Sequence, residues 1–117
     1  MEVEFYETSD GRCPVGEFME ILDKGMKARA LWMIALLQEK GNKLCPPYSK
    51  ALEDGIFELR VKAGNDISRL LYFFCIGNKA VITNGFIKKT QKTPRNEIEK
   101  AKKYRKDYLR RISYEVR

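Results

Sequence analysis

Four basic residues of this sequence could together act on a phosphodiester: Arg60, Arg69 and the adjacent pair Lys88 and Lys89. An arginine binds phosphate through two parallel hydrogen bonds and stabilises the charge that develops when the phosphorus is attacked. A lysine beside other cations is disfavoured in its charged form, so its pKa falls towards the range useful for proton transfer. Such a set indicates metal-free cleavage of RNA rather than DNA, because the 2′-hydroxyl of RNA can attack the adjacent phosphate.

The amino-acid composition argues against several other kinds of catalysis. The 117 residues include no histidine, which removes the commonest general base. The three cysteines, Cys13, Cys45 and Cys75, are odd in number and far apart, so neither a disulfide framework nor a zinc site is expected. We therefore predict no metal and no cofactor, and any proton transfer has to use lysine, arginine, tyrosine or a carboxylate.

The positive charge of the chain is concentrated in its last third. Residues 86–117 contain 12 Lys and Arg against 4 Asp and Glu, whereas residues 1–85 contain 11 against 12. A basic segment on a neutral body suggests a polyanion or an acidic protein as the partner. The sequence has no apolar run of about 18 residues and no signal-peptide pattern at its start, so we expect a cytoplasmic protein without a membrane span.

The pattern of apolar residues predicts one domain over residues 1–117, with an α+β fold in the order β-α-α-β-β-β-α. An antiparallel sheet would carry an N-terminal helical hairpin and a basic C-terminal helix. The predicted elements are a strand at 3–7, a helix from 14 that ends at 24–25, a helix at 27–40, strands at 56–62, 67–76 and 79–88, and a helix at 94–112. Residues 42–55 are expected to form a loop, and Thr93 is expected to cap the last helix.

Two short turns determine how the basic residues would meet. If residues 77–78 form a two-residue hairpin turn, Arg69 lies opposite Phe86 in the next strand. If residues 63–66 form the preceding turn, Arg60 lies directly opposite Arg69. The turns therefore predict that both arginines lie on one face of the sheet.

That basic face would also hold Lys88, Lys62 and Glu58. Two opposed arginines repel each other unless an anion lies between them. Glu58 is the structural candidate for this anion and a bound phosphate is the functional one, and the sequence pattern leaves both open. We expect the arginines to be exposed and outside the core.

The opposite face is the predicted core, and we expect it to receive the helical hairpin. Trp32 on the second helix is either a core residue or a contact with a partner, and the core is the favoured place. Its residues are Phe57, Leu59, Val61, Leu70, Tyr72, Phe74, Val81 and Ile87. The C-terminal helix is expected to cover the apolar residues of the basic face, Leu71, Phe73, Ile82 and Phe86.

Three segments together resemble a known family. They are KALEDGIFELR at 50–60, RLLYFF at 69–74 and GFIKKTQKTP at 85–94. Across nearly the whole chain, the sequence is similar to the HigB-type, phage-derived branch of the RelE/ParE toxin superfamily. The resemblance implies a RelE-like fold and a type II toxin that cleaves mRNA on the 70S ribosome. It also implies a hetero-oligomer with a helix-turn-helix antitoxin of the HigA type, which neutralises the toxin.

The resemblance also implies roles for individual residues. Arg60 and Arg69 would hold and stabilise the phosphate, and Lys88 or Lys89 would move protons. Three further lysines would assist RNA binding: Lys50, Lys62 and Lys92. Several relatives use a histidine or a tyrosine near the C-terminus as acid or base. This chain has no histidine, and its Tyr104 and Tyr108 fall on the apolar stripe of the last helix, where we expect them to pack.

Two other functions remain open from the sequence. Members of the ParE type inhibit DNA gyrase and would tolerate loss of the arginine and lysine set. A non-catalytic RNA- or ribosome-binding protein would also account for the basic charge, because such charge alone gives nonspecific affinity for nucleic acid.

Overall fold

A five-stranded mixed sheet with helices on both faces makes up the fold, in a computed structural model that describes residues 1–115. In chain order the elements are β1 (Glu2–Phe5), α1 (Pro14–Glu20), α2 (Lys24–Lys40), a 3₁₀ turn (Gly41–Lys43), β2 (Ser49–Glu53), β3 (Ile56–Ala63), β4 (Asp66–Cys75), β5 (Lys79–Ile87) and α3 (Arg95–Glu115). The predicted α+β class is confirmed. Of the domain predicted over residues 1–117, Val116 and Arg117 lie outside the described residues. Each helix within residues 1–115 is too short or too polar to span a membrane.

The sheet differs from the prediction at both of its edges. Its strand order is β1-β5-β4-β3-β2, and β1 runs parallel to β5, so the predicted all-antiparallel sheet is wrong. The edge strand β2 lies within the segment predicted to be a loop and pairs with β3. Its sequence, SKALE, follows two prolines and lacks the β-branched and aromatic residues that mark a strand. Pairing with β3 therefore determines its conformation more than its own composition does.

The hairpin between β4 and β5 differs from the prediction at two places, and the two differences in register cancel each other. Cys75 pairs with Lys79, so the turn has three residues instead of the predicted two. Further along, the pairing shifts by one residue at Thr83, whose hydroxyl donates to the backbone carbonyl of Leu71 at 3.2 Å. This bulge restores the predicted register, in which Arg69 lies opposite Phe86.

Between the turn and the bulge, the side chains point to the faces opposite to those predicted. Ile82 lies in the core beneath α1 and α2, whereas Val81 lies beneath α3. One extra residue in a strand reverses the direction of every side chain up to the next irregularity. Most other residues predicted for the hairpin-side core are buried there, namely Leu59, Val61, Leu70 and Tyr72, and Phe57 and Phe74 are partly buried. Ile87 is exposed, so its predicted place in the core is wrong.

The helical hairpin starts its second helix earlier than predicted. Asp23 caps α2 by accepting a hydrogen bond from the backbone N–H of Met26 at 2.8 Å, so the helix includes Lys24 and Gly25. The buried stripe of α2 runs along Met26, Ala30, Met33, Ile34 and Leu37. Trp32 lies beside this stripe and its side chain is half exposed, so its predicted place in the core is wrong.

Gly85 allows α1 to pack closely on β5. A Cβ atom at this position would lie 2.4 Å from the ring of Phe18 and 2.8 Å from the side chain of Leu70. The next residue, Phe86, is buried on the other face of the sheet. The Gly-Phe pair that precedes the two lysines is therefore a packing feature. It holds β5 between the helices on the two faces of the sheet, and Lys88 follows directly after this strand.

Candidate functional site

Arg60 on β3 lies directly opposite Arg69 on β4, as predicted. Glu58, which is 1% exposed, holds its carboxylate between the two guanidinium groups. Its Oε2 atom is 3.5 Å from Arg60 Nε and 3.6 Å from Arg69 Nε. A protein carboxylate therefore offsets the repulsion between the two arginines on their Nε side.

The second carboxylate oxygen of Glu58 is held by Thr93. The Thr93 hydroxyl donates to Glu58 Oε1 at 2.6 Å. The first turn of α3 is closed instead by the carbonyl of Pro94, which accepts from the N–H groups of Glu97 and Ile98. The prediction that Thr93 caps this helix is therefore replaced by a role in orienting Glu58.

Arg69 is 7% exposed, so the expectation that it lies outside the core is wrong. Burial lowers its pKa, the charge of Arg60 lowers it further, and Glu58 partly compensates. Its Nη1 donates to the carbonyl of Ser68 at 3.1 Å. The side chain of Arg60 is 31% exposed and can be reached from solvent. Within residues 1–115, the Nε atoms of both arginines are buried and lack a hydrogen-bond acceptor.

Lys88 follows directly after β5, and its backbone N–H donates to the carbonyl of Ile67 at 2.9 Å. Its pKa is lowered, first by burial and then by the charge of Arg69, with smaller contributions from Arg60 and Lys50. Glu58 acts in the opposite direction. The direction agrees with the expectation for a lysine among cations, although burial is the larger cause. We use the name basic site for Glu58, Arg60, Arg69 and Lys88.

Two hollows open beside the basic site. A cleft of about 720 Å³ lies between β2 and the segment that leads into α3, and Lys50, Lys88 and Lys92 line it together with Glu58 and Thr93. A hollow of about 450 Å³ is lined by Arg69, Lys88 and Lys89. Lys88 therefore lies at the boundary of both.

One of the predicted RNA-binding residues lies elsewhere. Lys62 lines a third groove, at the edge of the sheet, which it shares with Arg60 and Arg69. The five predicted lysines therefore lie around the two arginines, but they line three different depressions. The first turn of α3 is tied to β5 by Asn84, whose side-chain amide donates to Glu97 Oε1 at 3.0 Å. The sequence reasoning missed this contact, because Asn84 occupies an ordinary strand position until the bulge at Thr83 places it.

Tyr104 and Tyr108 of α3 are packed, as expected. Tyr108 is buried against Phe73, and burial together with a hydrogen bond to Glu4 raises its pKa to about 12. Tyr104 stacks on Tyr6 with ring centroids 4.8 Å apart.

Among the described residues, no three or more His, Cys, Asp or Glu side chains are grouped as a metal site requires. The chemistry that the basic site can supply is phosphate binding by Arg60 and proton donation by Lys88.

A model of the phage-derived Gp49-like protein family (DUF891) matches residues 17–106, and the chain therefore belongs to this family. The Gp49-like family is one of the RelE/ParE-like toxin families. The matched span includes every residue of the basic site and all of the predicted RNA-binding lysines. No curated protein sequence matches the chain.

Proposed function

We propose that this protein is the toxin of a type II toxin–antitoxin system, of the HigB type, and that it cleaves mRNA on the ribosome. The observation that carries the proposal is the position of Lys88. This lysine, with its lowered pKa, stands beside Arg60 and Arg69 at the boundary of two open hollows. Membership of a RelE/ParE-like toxin family supports the same class of activity.

The proposed reaction needs no metal. The 2′-oxygen of the RNA attacks the adjacent phosphorus, the bond from phosphorus to the 5′-oxygen breaks, and a 2′,3′-cyclic phosphate and a 5′-hydroxyl are formed. Arg60 binds the phosphate oxygens with its guanidinium group. Arg69, which is buried beside Arg60, stabilises the negative charge that develops on the phosphate during the attack. Lys88 gives its proton to the departing 5′-oxygen, because an ammonium group with a lowered pKa is a better acid. The proton of the 2′-hydroxyl passes to water, and Lys89, which lines the hollow beside Arg69, is the second candidate for proton transfer.

The proposed partners follow from the same assignment. Lys50 and Lys92, on opposite sides of the large cleft, would hold the RNA strand on either side of the reacting phosphate. A helix-turn-helix antitoxin of the HigA type would neutralise the toxin in a hetero-oligomer, and the target would be translated mRNA in the cytoplasm. The reading frame next to the gene should then encode such an antitoxin.

Mapping the 5′ ends of cellular RNA after brief expression tests this proposal. The wild-type chain should stop growth and produce new cuts at codon-related positions in translated messages. The double variant Lys88→Ala/Lys89→Ala should produce neither. A matched control, Lys24→Ala/Lys27→Ala, removes the same charge from exposed positions on α2 and should behave like the wild type.

Two results would overturn the proposal in favour of the alternatives. Unchanged RNA accompanied by DNA damage would indicate a gyrase inhibitor of the ParE type. Stable association with ribosomes, without any cut in either RNA or DNA, would indicate a non-catalytic binding protein.

The variant Arg69→Ala is a poor test of the proposal, because loss of Arg69 also exposes the buried charge of Glu58 and reduces folding stability.

A further inference from the structure

A groove of about 300 Å³ lies where β2 begins, on the side of the basic site away from the large cleft. Four cations line it, Arg29, Arg60, Lys62 and Arg69, together with Pro47 and Tyr48. Arg60 and Arg69 thus belong both to this groove and to the basic site. A strand of nucleic acid whose phosphate binds at Arg60 would have its neighbouring nucleotide within reach of the groove.

Backbone contacts hold Tyr48 beside Arg60. The N–H of Arg60 donates to the carbonyl of Tyr48 at 2.8 Å, and the N–H of Tyr48 donates to the carbonyl of Cys45 at 3.0 Å. The side chain of Tyr48 is nevertheless 43% exposed. An aromatic residue that is held by its backbone and exposed to this extent can serve as a platform on which a nucleobase stacks.

The opposite wall of the groove supplies a positioned cation. The guanidinium carbon of Arg29 lies 4.4 Å from the ring centroid of Trp32, so the arginine is held over an exposed aromatic side chain. Lys62 is exposed on β3 and lines the same groove. Arg29 and Lys62 therefore provide two positive charges close to the ring of Tyr48 without a carboxylate in the lining.

We infer that this groove is a nucleotide subsite, in which one nucleobase stacks on Tyr48 while Arg29 and Lys62 hold the phosphate beside it. The inference rests on the proposed function and deepens it, since the strand that enters the basic site would continue into this groove. An acidic peptide would also be attracted by the cations. The exposed ring and the shared arginines favour a nucleotide, because a base uses the ring face and a peptide carboxylate does not.

Binding of uncleavable strands tests the subsite separately from catalysis. The probes are a short single-stranded oligodeoxynucleotide, which lacks the attacking 2′-hydroxyl, and a fully abasic strand of the same length. Tyr48→Ala should weaken binding of the base-containing strand about tenfold or more and leave binding of the abasic strand unchanged. Tyr48→Phe should bind both strands like the wild type. Leu109→Ala, which removes a similarly exposed apolar side chain from α3, is the matched control.

The two cations have a different expected signature. Arg29→Ala and Lys62→Ala should each weaken binding of both strands and reduce the slope of log affinity against log salt by about 0.7. The inference would be overturned if Tyr48→Ala lost equal affinity for both strands, or if the wild-type chain did not bind the base-containing strand at all. A glutamate peptide of equal charge that binds with the same dependence on Tyr48 would also overturn it.

The same measurements distinguish this inference from the proposed function. The double variant Lys88→Ala/Lys89→Ala should not cleave RNA. It should still bind the base-containing strand more tightly than the abasic strand, and this preference should depend on Tyr48. A wild-type chain that cuts no RNA but shows this preference would contradict the proposed function and support the subsite. A chain that cuts RNA while Tyr48→Ala binds both strands normally would contradict only the subsite.

Discussion

Two groups of charged residues flank the β2–β3 hairpin, and they differ in how completely their charges are paired. In the basic site, Arg60 and Arg69 share the buried carboxylate of Glu58, and their Nε atoms are 3.5 and 3.6 Å from it. The other group, which we call the helix anchor, joins α3 to the end of β2 through Glu53, Asp54, Arg95, Lys102 and Arg105. Its cations meet carboxylates or a backbone carbonyl directly.

The pKa values of the two groups move in opposite directions. In the helix anchor, hydrogen bonds to Glu53 raise the pKa of Arg95, and Lys102 is raised by Asp54 and Glu53. In the basic site, burial lowers the pKa of Arg69 and of Lys88. Cations with complete partners stabilise the fold and have little attraction left for a ligand. Cations with too few partners reduce stability and remain available to bind an anion.

Removal of the shared carboxylate should have the largest effect on stability. Glu58→Gln keeps an acceptor for Thr93 but leaves two opposed arginines, one of them buried, without a counter-charge. We expect a loss of about 3 kcal/mol in the free energy of unfolding, measured with urea at pH 7. Sulfate should recover part of that loss in the variant more than in the wild type, because a bound anion replaces the carboxylate. A loss below about 1 kcal/mol would mean that Glu58 does not hold the arginines together.

Truncation of an arginine in each group should separate activity from stability. Arg60→Ala should reduce RNA cleavage about 100-fold or more, since it removes a donor to the phosphate, with little change in stability because the side chain is partly exposed. Arg105→Ala in the helix anchor should leave cleavage unchanged and lower the melting temperature, because its bond to the Asp54 carbonyl is lost. Single-turnover cleavage and thermal unfolding of both variants are the measurements. Equal losses of activity in the two variants would remove the proposed distinction.

The pairing of Arg60 with Arg69 could be predicted from the sequence because it depends on residues that are close together in the chain. Strict alternation in β3 and a short turn at 63–66 determine which residues pair. The register at Arg69 was also predicted correctly, although for an incomplete reason. The extra residue in the turn and the bulge at Thr83 cancel there, and neither has a clear signal in the sequence.

The parts of the site that the sequence did not provide depend on distant contacts. Burial of Arg69 and the hydrogen bond from Thr93 to Glu58 require α3 to pack on the basic face, and 35 residues separate Thr93 from Glu58. Likewise, β2 exists because β3 offers it a partner. The groove at Tyr48 forms where that edge strand begins, so it could not be expected from a segment interpreted as a loop.

Acid should weaken the helix anchor through its carboxylate Glu53. The Arg95 guanidinium and then Lys102 lower the pKa of Glu53 from 4.5 to about 2. Since the folded pKa is below the unfolded value, the stabilisation by Glu53 is complete above pH 4.5 and is lost as the pH falls towards 2. Glu53→Gln should therefore be less stable than the wild type at pH 6, and the difference should shrink by pH 3. A difference that is constant over this range in urea titrations would show that the ion pairs of Glu53 do not stabilise the fold.

The smallest expected effect concerns the proton of Lys88. Lys50 is the last of the charges that lower the pKa of Lys88, after burial and the two arginines. If Lys88 donates a proton, the cleavage rate falls as the pH rises through its folded pKa, which lies below the ordinary value of 10.5. Lys50→Ala removes a repelling charge, raises the pKa of Lys88, and should move this falling limb of the pH–rate profile to higher pH.

Because Lys50 also lines the cleft, the profile has to be taken from single-turnover rates at saturating RNA, where weaker binding does not shift it. Lys43→Ala, an exposed lysine before β2, should leave the limb in place. Added salt should reduce the difference between Lys50→Ala and the wild type, since Lys50 is exposed and its field is screened. A limb that stays fixed in Lys50→Ala, or that moves to lower pH, would assign the proton to a group other than Lys88. Lys89 would then be the next lysine to test, because its side chain is exposed and lines the hollow beside Arg69.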